Sequence, residues 1–266
     1  LVPVKTSKGF TWNLNFNFAK NSNKVVELAP GVEQYELGTY WDCKIMAIPG
    51  QPFGSIYGAD FLRDPNGNII YENGVPKAGD LKILGNYQPD WTGGIFNEFI
   101  YKGFSASCLI DIHMGGQLYS MTNSWGRYAG ALEETLIGRE GGIVGEGVKE
   151  VIDGNGNVSY VPNDVVVTAE EFNHQAFSNS IVAGSVFDAS YVKLREFRIG
   201  YTFKKLGKLP INDLSISVVG RNVALLYSVV PHVDPETSFN LGNAQGLEFG
   251  QLPSARSLGF NIGVKF

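Results

Sequence analysis

The side chains best able to do chemistry in this 266-residue chain fall into a few constellations, each with a chemical and a structural reading. Asp111 and His113 are two residues apart, so in a strand both lie on one face, as an acid–base pair would require. No nucleophile with a supporting partner stands near them in sequence, so a solvated polar lining accounts for them far better than catalysis. Glu133-Glu134 are the adjacent carboxylates of a helix-like run, Ala129 to Ile137. Glycoside hydrolysis places its two carboxylates about 5 to 9.5 Å apart across the scissile bond, whereas neighbours on a loop helix form a solvated face. Trp125, Arg127 and Tyr128 precede that run. Such side chains stack on sugars or hold carboxylates, and they equally anchor a loop or meet a partner protein. Asp64-Pro-Asn-Gly-Asn68 and Asp153-Gly-Asn-Gly-Asn157 have the alternating acid and amide oxygens of a calcium loop. They lack the Gly and Glu that an EF-hand needs at its sixth and twelfth positions. Hairpin turns of type I′ at Asn-Gly suit them better, with Ile69–Tyr71 and Val158–Val161 as return strands. Cys43 and Cys108 stand in neither a CxxC nor a zinc-ligand spacing, so two unpaired thiols are expected. No catalytic, cofactor-binding or metal-ligating set is assigned.

Composition narrows the function classes. The chain is glycine-rich (33 Gly) and charge-poor (18%), and its net charge of -5 offers no basic field for nucleic acid. Its longest apolar run, Val223 to Tyr227, is far short of the roughly 18 residues of a membrane helix. No signal-peptide pattern opens the chain, which starts at Leu1 without an initiator Met and reads as a mature form or a piece.

The elements that must position these residues are strands, because the dominant pattern is alternation. Phe10, Trp12, Leu14, Phe16 and Phe18 oppose Thr11, Asn13, Asn15 and Asn17. Leu258, Phe260, Ile262, Val264 and Phe266 oppose Ser257, Gly259, Asn261, Gly263 and Lys265. Weaker versions cover Ile95–Tyr101, Phe104–Ile112, Phe197–Phe203 and Leu214–Val218. A seventh strand is expected between Gly38 and Ile48, with Val25–Leu28 competing for the role. A soluble sandwich alternates too, but two features favour a transmembrane antiparallel β-barrel. Connections alternate between tight (Asn21–Asn23, Lys102-Gly103, Lys204–Pro210) and long (about 50–92, 114–187 and 223–255), and strands of nine to eleven residues suit a tilted bilayer crossing. Trp12, Tyr101, Tyr191 and Tyr201 fit either headgroup-level rings or ordinary packing. Single-chain bacterial barrels usually have an even strand count. About seven strands therefore imply the C-terminal part, residues 1–266, of a longer barrel whose other strands precede Leu1.

Several segments resemble the SusC/RagA family of TonB-linked outer-membrane transporters. The most specific are Asp188–Phe203 (DASYVKLREFRIGYTF) and Pro89–Gly94 (PDWTGG) leading into Tyr101–Phe104. Gly220-Arg-Asn222, Val233-Asp-Pro-Glu236 and the Phe-ending last strand add to them. The resemblance spans nearly the whole chain. It implies a plugged barrel of about 22 strands in the outer membrane of a Gram-negative bacterium, capped by a SusD-like surface lipoprotein and energised by TonB through a region outside this chain. It implies import of oligosaccharides or peptides, with no cofactor and no enzymatic activity. Asp111, His113, Trp125, Arg127 and Tyr128 then become candidates to face the lumen or ligand. Phe260, Ile262, Val264 and Phe266 become the candidate barrel-assembly signal. The rival from another class is a soluble secreted carbohydrate-binding β-sandwich.

Overall fold

The computed structural model describes residues 4–204, 210–238 and 242–266. Alternation produces one broad sheet of seven strands in the order β1 to β7, each antiparallel to the next. They are β1 (Val4–Lys5), β2 (Phe10–Ala19), β3 (Trp91–Tyr101), β4 (Phe104–Met114), β5 (Tyr191–Lys204), β6 (Asp213–Ser228) and β7 (Ser257–Lys265). Six of the expected strands are present with their expected parity. The seventh is the two-residue β1. Residues 38–48 instead belong to a separate four-stranded sheet formed by Tyr35–Tyr40, Cys43–Ala47, Ser55–Phe61 and Ala78–Asn86. The reason is burial: Cys43, Ile45 and Ala47 are fully enclosed, which the barrel wall does not do to its outward residues. Val25–Leu28 forms no strand.

Register turns the alternation into rows. Trp12, Phe99, Ala106, Ile199, Val218 and Phe260 lie side by side across the sheet, and Phe10, Tyr101, Phe104, Tyr201, Ile216 and Ile262 form the next row. Among the described residues no second sheet covers them. Leu258, Phe260 and Ile262 are 70%, 83% and 67% exposed. The opposite face carries Asn13, Glu98, Ser107 and Arg198 in register. There Asn13 donates to Glu98 (2.8 Å) and Arg198 to Ser217 (3.0 Å).

The connections alternate as a barrel requires. Lys102 and Gly103 both have positive φ and close a two-residue β3–β4 turn, the geometry that matches strand twist. The turn expected over Lys204–Pro210 falls largely outside the described residues. The tight turn expected at Asn21–Asn23 is absent, because the chain runs from β2 into a long connection to β3. Asn23 and Asn21 are used there to hold that connection, donating to Gln88, while Asn23 also accepts from the Phe53 amide.

The hydrophobic core lies in these long connections. Cys43, Ile45, Ile56, Tyr119, Met121, Val182 and Leu247, drawn from all three of them, enclose one another. The motif loops at 64–68 and 153–157 are hairpin ends, the second joining Val148–Ile152 to Val158–Pro162. Neither is type I′, because only Gly67 and Gly156 of each Asn-Gly pair have positive φ. The Asp closes each loop instead: Asp64 accepts from the Asn66 and Asn68 amides, and Asp153 from those of Asn155 and Asn157.

Candidate functional site

Three of the segments that carried the resemblance, through Lys193 and Arg195, Asn222, and Asp234 and Glu236, converge with Asp111 on one charged node at the loop end of the sheet. Along β5 the pairing slips at Arg195, which has no partner of its own between Leu194 and Glu196. Such a bulge re-aims a side chain. The Arg195 guanidinium reaches Asp111 on β4 (Nη2, 2.6 Å; Nε, 2.8 Å), Glu236 (Nη1, 2.7 Å) and Asn222 (3.3 Å). Two residues earlier, Lys193 donates to Asp234 (2.5 Å) and Glu236 (2.8 Å). Asp234 also accepts from the Ser254 amide and hydroxyl and from the Glu236 amide. Burial alone would raise the Asp234 pKa, yet these donors hold it down at about 2, and Glu236 is likewise held below its ordinary value by Arg195 and Lys193 against the same opposition. The node therefore fastens the 229–256 connection to the barrel strands. Its second fastening is Glu248, wholly buried, which accepts from the Ser120 and Thr122 hydroxyls and the Gly250 amide.

Asp111 and His113 do sit on the polar face, but both are engaged. Asp111 is ion-paired to Arg195, and the His113 ring stacks on Tyr191 at 5.0 Å. The sequence offered no signal for Arg195, because a bulge breaks the parity on which the strand was read.

Trp125, Arg127 and Tyr128 lie within a helix rather than before one. That helix, α1 (Met121–Tyr128), is capped by Ser120, whose hydroxyl accepts from the Asn123 amide. It ends before Gly130, whose positive φ cannot continue it, and a 3₁₀ turn at Glu133–Leu136 follows within the expected run. Arg127 is committed internally: it pairs with Glu134 at 2.9 Å and lies over the Phe177 ring at 4.7 Å. Glu134 also meets His232 at 3.1 Å. Burial opposes the Glu134 charge, but Arg127 and His232 keep the carboxyl below its usual range. Adjacent carboxylates in one 3₁₀ turn, one of them already spent on Arg127 and His232, do not form the opposed pair of a glycosidase.

Trp125 and Tyr128 remain about half-exposed and line an open groove of about 550 Å³ with Asp42, Phe177, Ser178 and Asn179. The Trp41 ring meets that of Trp125 at 5.8 Å, and Phe249 meets Trp125 edge-on at 6.2 Å. Tyr128 stacks on His174 of α2 (Ala169–Ala176) at 4.2 Å. Sequence reading missed Trp41, since its significance depends on a turn conformation. Among the described residues no group of three or more His, Cys, Asp and Glu converges to hold a metal. Both cysteines are free, Cys43 enclosed in the loop core and Cys108 in β4.

An uncovered apolar sheet face, alternating short and long connections and a polar inner face define a segment of a transmembrane β-barrel wall with its loop assembly. The comparisons specify the barrel type. No family model matches the chain. TonB-dependent receptors P3 and P39 of Formosa agariphila are similar in sequence, 26% identical over 98% of this chain and 25% identical over 99%. The chain spans 27% and 29% of their lengths. Solved structures of the RagAB peptide importer in its open-open state and of the RagAB peptide transporter superpose with TM-scores of 0.62 and 0.66, at 15% and 17% identity. They are matched over 100% and 99% of this chain, and over 27% and 28% of theirs. The chain thus has the fold of a segment of a TonB-dependent transporter barrel.

Proposed function

We propose that this chain is the C-terminal portion of the barrel of a TonB-dependent importer in the outer membrane of a Gram-negative bacterium. It works with a SusD-like surface lipoprotein to take up oligosaccharides or peptides. TonB would act through a region outside the chain, and the remaining strands of the barrel would pair with the sheet's two edges. The observation that carries this reading is the placement of apolar groups. The sheet leaves registered rows of apolar side chains open on one face, while burial is concentrated in the connections at one end. A soluble sandwich would bury Leu258, Phe260 and Ile262 against a second sheet; a barrel wall presents them to lipid.

In this reading Phe260, Ile262, Val264 and Phe266 form the terminal aromatic-apolar signal read during barrel assembly, with deletion of Phe266 lowering outer-membrane levels. The importer reading is tested by uptake into cells carrying the whole transporter. Uptake abolished by removing TonB supports it, and TonB-independent passage of the same cargo contradicts it.

A further inference from the structure

We infer that Trp41 and Trp125 form a stacking platform for a neutral sugar chain crossing the groove beside α1; this rests on the importer reading and specifies its cargo class. Trp41 and Asp42 form the two-residue turn between Tyr35–Tyr40 and Cys43–Ala47, with Tyr40 paired to Cys43. Trp41 has φ +52° at the first central position, a place where positive φ strongly favours glycine. A bulky side chain held there is strained, and such strain gathers where a side chain must be presented. What the turn gains is a 55%-exposed indole against the ring of Trp125.

Beside Trp125 and Tyr128, the groove is lined by Asp42, which shares the turn of Trp41, and by Ser178, Asn179 and Ser180. Flat rings take the C–H face of a pyranose, while carboxylate, amide and hydroxyl groups take its hydroxyls. None of the groove's lining residues is Lys or Arg, and Arg127 of the same helix is held by Glu134 and lies over the Phe177 ring, so the lining offers no free cation to select an anionic ligand. The lining comes from a turn, a helix and the 177–180 segment, none of them a strand. The strand-edge pairing by which an extended peptide commonly docks is therefore not offered.

The test uses the whole transporter in detergent, probed with an array of neutral oligosaccharides and a mixed decapeptide pool. At least one glycan is expected to bind and quench tryptophan fluorescence. Trp41→Gly and Trp125→Ala should each weaken that binding at least tenfold, and Trp41→Phe should retain most of it. Trp41→Gly should at the same time leave thermal stability unchanged or raised, because glycine relieves the strained turn, so lost binding is not lost folding. No glycan bound, glycan binding indifferent to these substitutions, or decapeptide binding that depends on Trp41 would each overturn the inference. TonB-dependent uptake of peptides with no glycan bound would sink this inference and leave the importer reading standing. Absence of TonB dependence for every cargo would sink the importer reading itself.

Discussion

Removing one cation from the charged node should release the 229–256 connection without melting the barrel. Consider Lys193→Met. The Lys193 and Asp234 side chains are only 5% and 9% exposed, so the change strips a nearly enclosed carboxylate of its counter-charge. Breaking a buried pair by deleting one partner costs about 3–5 kcal/mol. Two features reduce that here: Asp234 keeps the Ser254 and Glu236 donors, and the partly exposed Glu236 keeps Arg195. A net cost of about 2–3 kcal/mol follows, which at about 1.4 kcal/mol per decade makes local opening some 30- to 150-fold more frequent. The strands themselves remain tied, β5 being paired on both sides over most of its length. Hydrogen exchange on the whole transporter reads this directly, since segments open with their own free energies. Amides of 229–256 should lose protection by that factor, while those of 197–203 and 214–220 stay unchanged. Adding Asp234→Leu to Lys193→Met should restore much of the protection, because the orphaned charge is gone. Unchanged protection in 229–256, or equal loss along β5 and β6, would refute the reasoning.

Three further outcomes follow from the same geometry. Asp234 and Glu236 have depressed folded-state pKa values, so their contribution is fully present above the unfolded value near 3.8–4.5 and is lost as pH falls through the folded value, about 2 for Asp234. Pepsin cleavage within 229–256 should therefore rise steeply from pH 4 to pH 2, and less steeply in Lys193→Met, where Asp234 has lost one of the donors that depress it. A Cβ on Gly220 would lie 2.3 Å from the Phe197 ring, so Gly220→Ala should destabilise the barrel by about 1–3 kcal/mol in denaturant unfolding, with Phe197→Ala largely suppressing the effect. Phe260→Lys places a charge on the outward face and should cost about 2–4 kcal/mol if that row lies at the bilayer midplane, lowering outer-membrane levels. Asn261→Lys, one residue on and facing inward, should be tolerated; equal losses for the two would contradict the facial assignment.

The barrel strands were legible because each carries its instruction locally: a period of two needs no knowledge of its neighbours. The same period misplaced the seventh strand. Cys43, Ile45 and Ala47 follow the period of a wall strand although the apolar Met46 lies between them, and the enclosure of Cys43 and Ile45 by Tyr119, Met121, Val182 and Leu247 assigns the strand to the loop core. Those partners lie about 75 to 200 positions away in sequence, so no window of the chain contains the signal. The sites divide the same way. Asp111 and His113 were placed on the correct face by parity, but their engagement by Arg195 and Tyr191 depends on a bulge that parity cannot represent. Trp125, Arg127 and Tyr128 were singled out by type. Their division of labour, Arg127 inward on Glu134 and Trp125 outward beside Trp41, is set by the helix that Ser120 caps.

What touches the outward face of β7 decides between a barrel wall in lipid and a sheet buried under protein. Single cysteines from Ser257 to Lys265, introduced into the whole transporter with Cys108→Ser and with Cys43 enclosed in the loop core, can each carry a nitroxide label in bilayers. Collision with oxygen, which concentrates in lipid, and with a water-soluble nickel chelate then reports the surroundings at each position. The prediction is a period-two exchange: oxygen dominant at 258, 260, 262 and 264, and nickel dominant at 257, 259, 261 and 263. Labels at Leu258, Phe260 and Ile262 shielded from both reagents, as beneath an opposing protein layer, would contradict it.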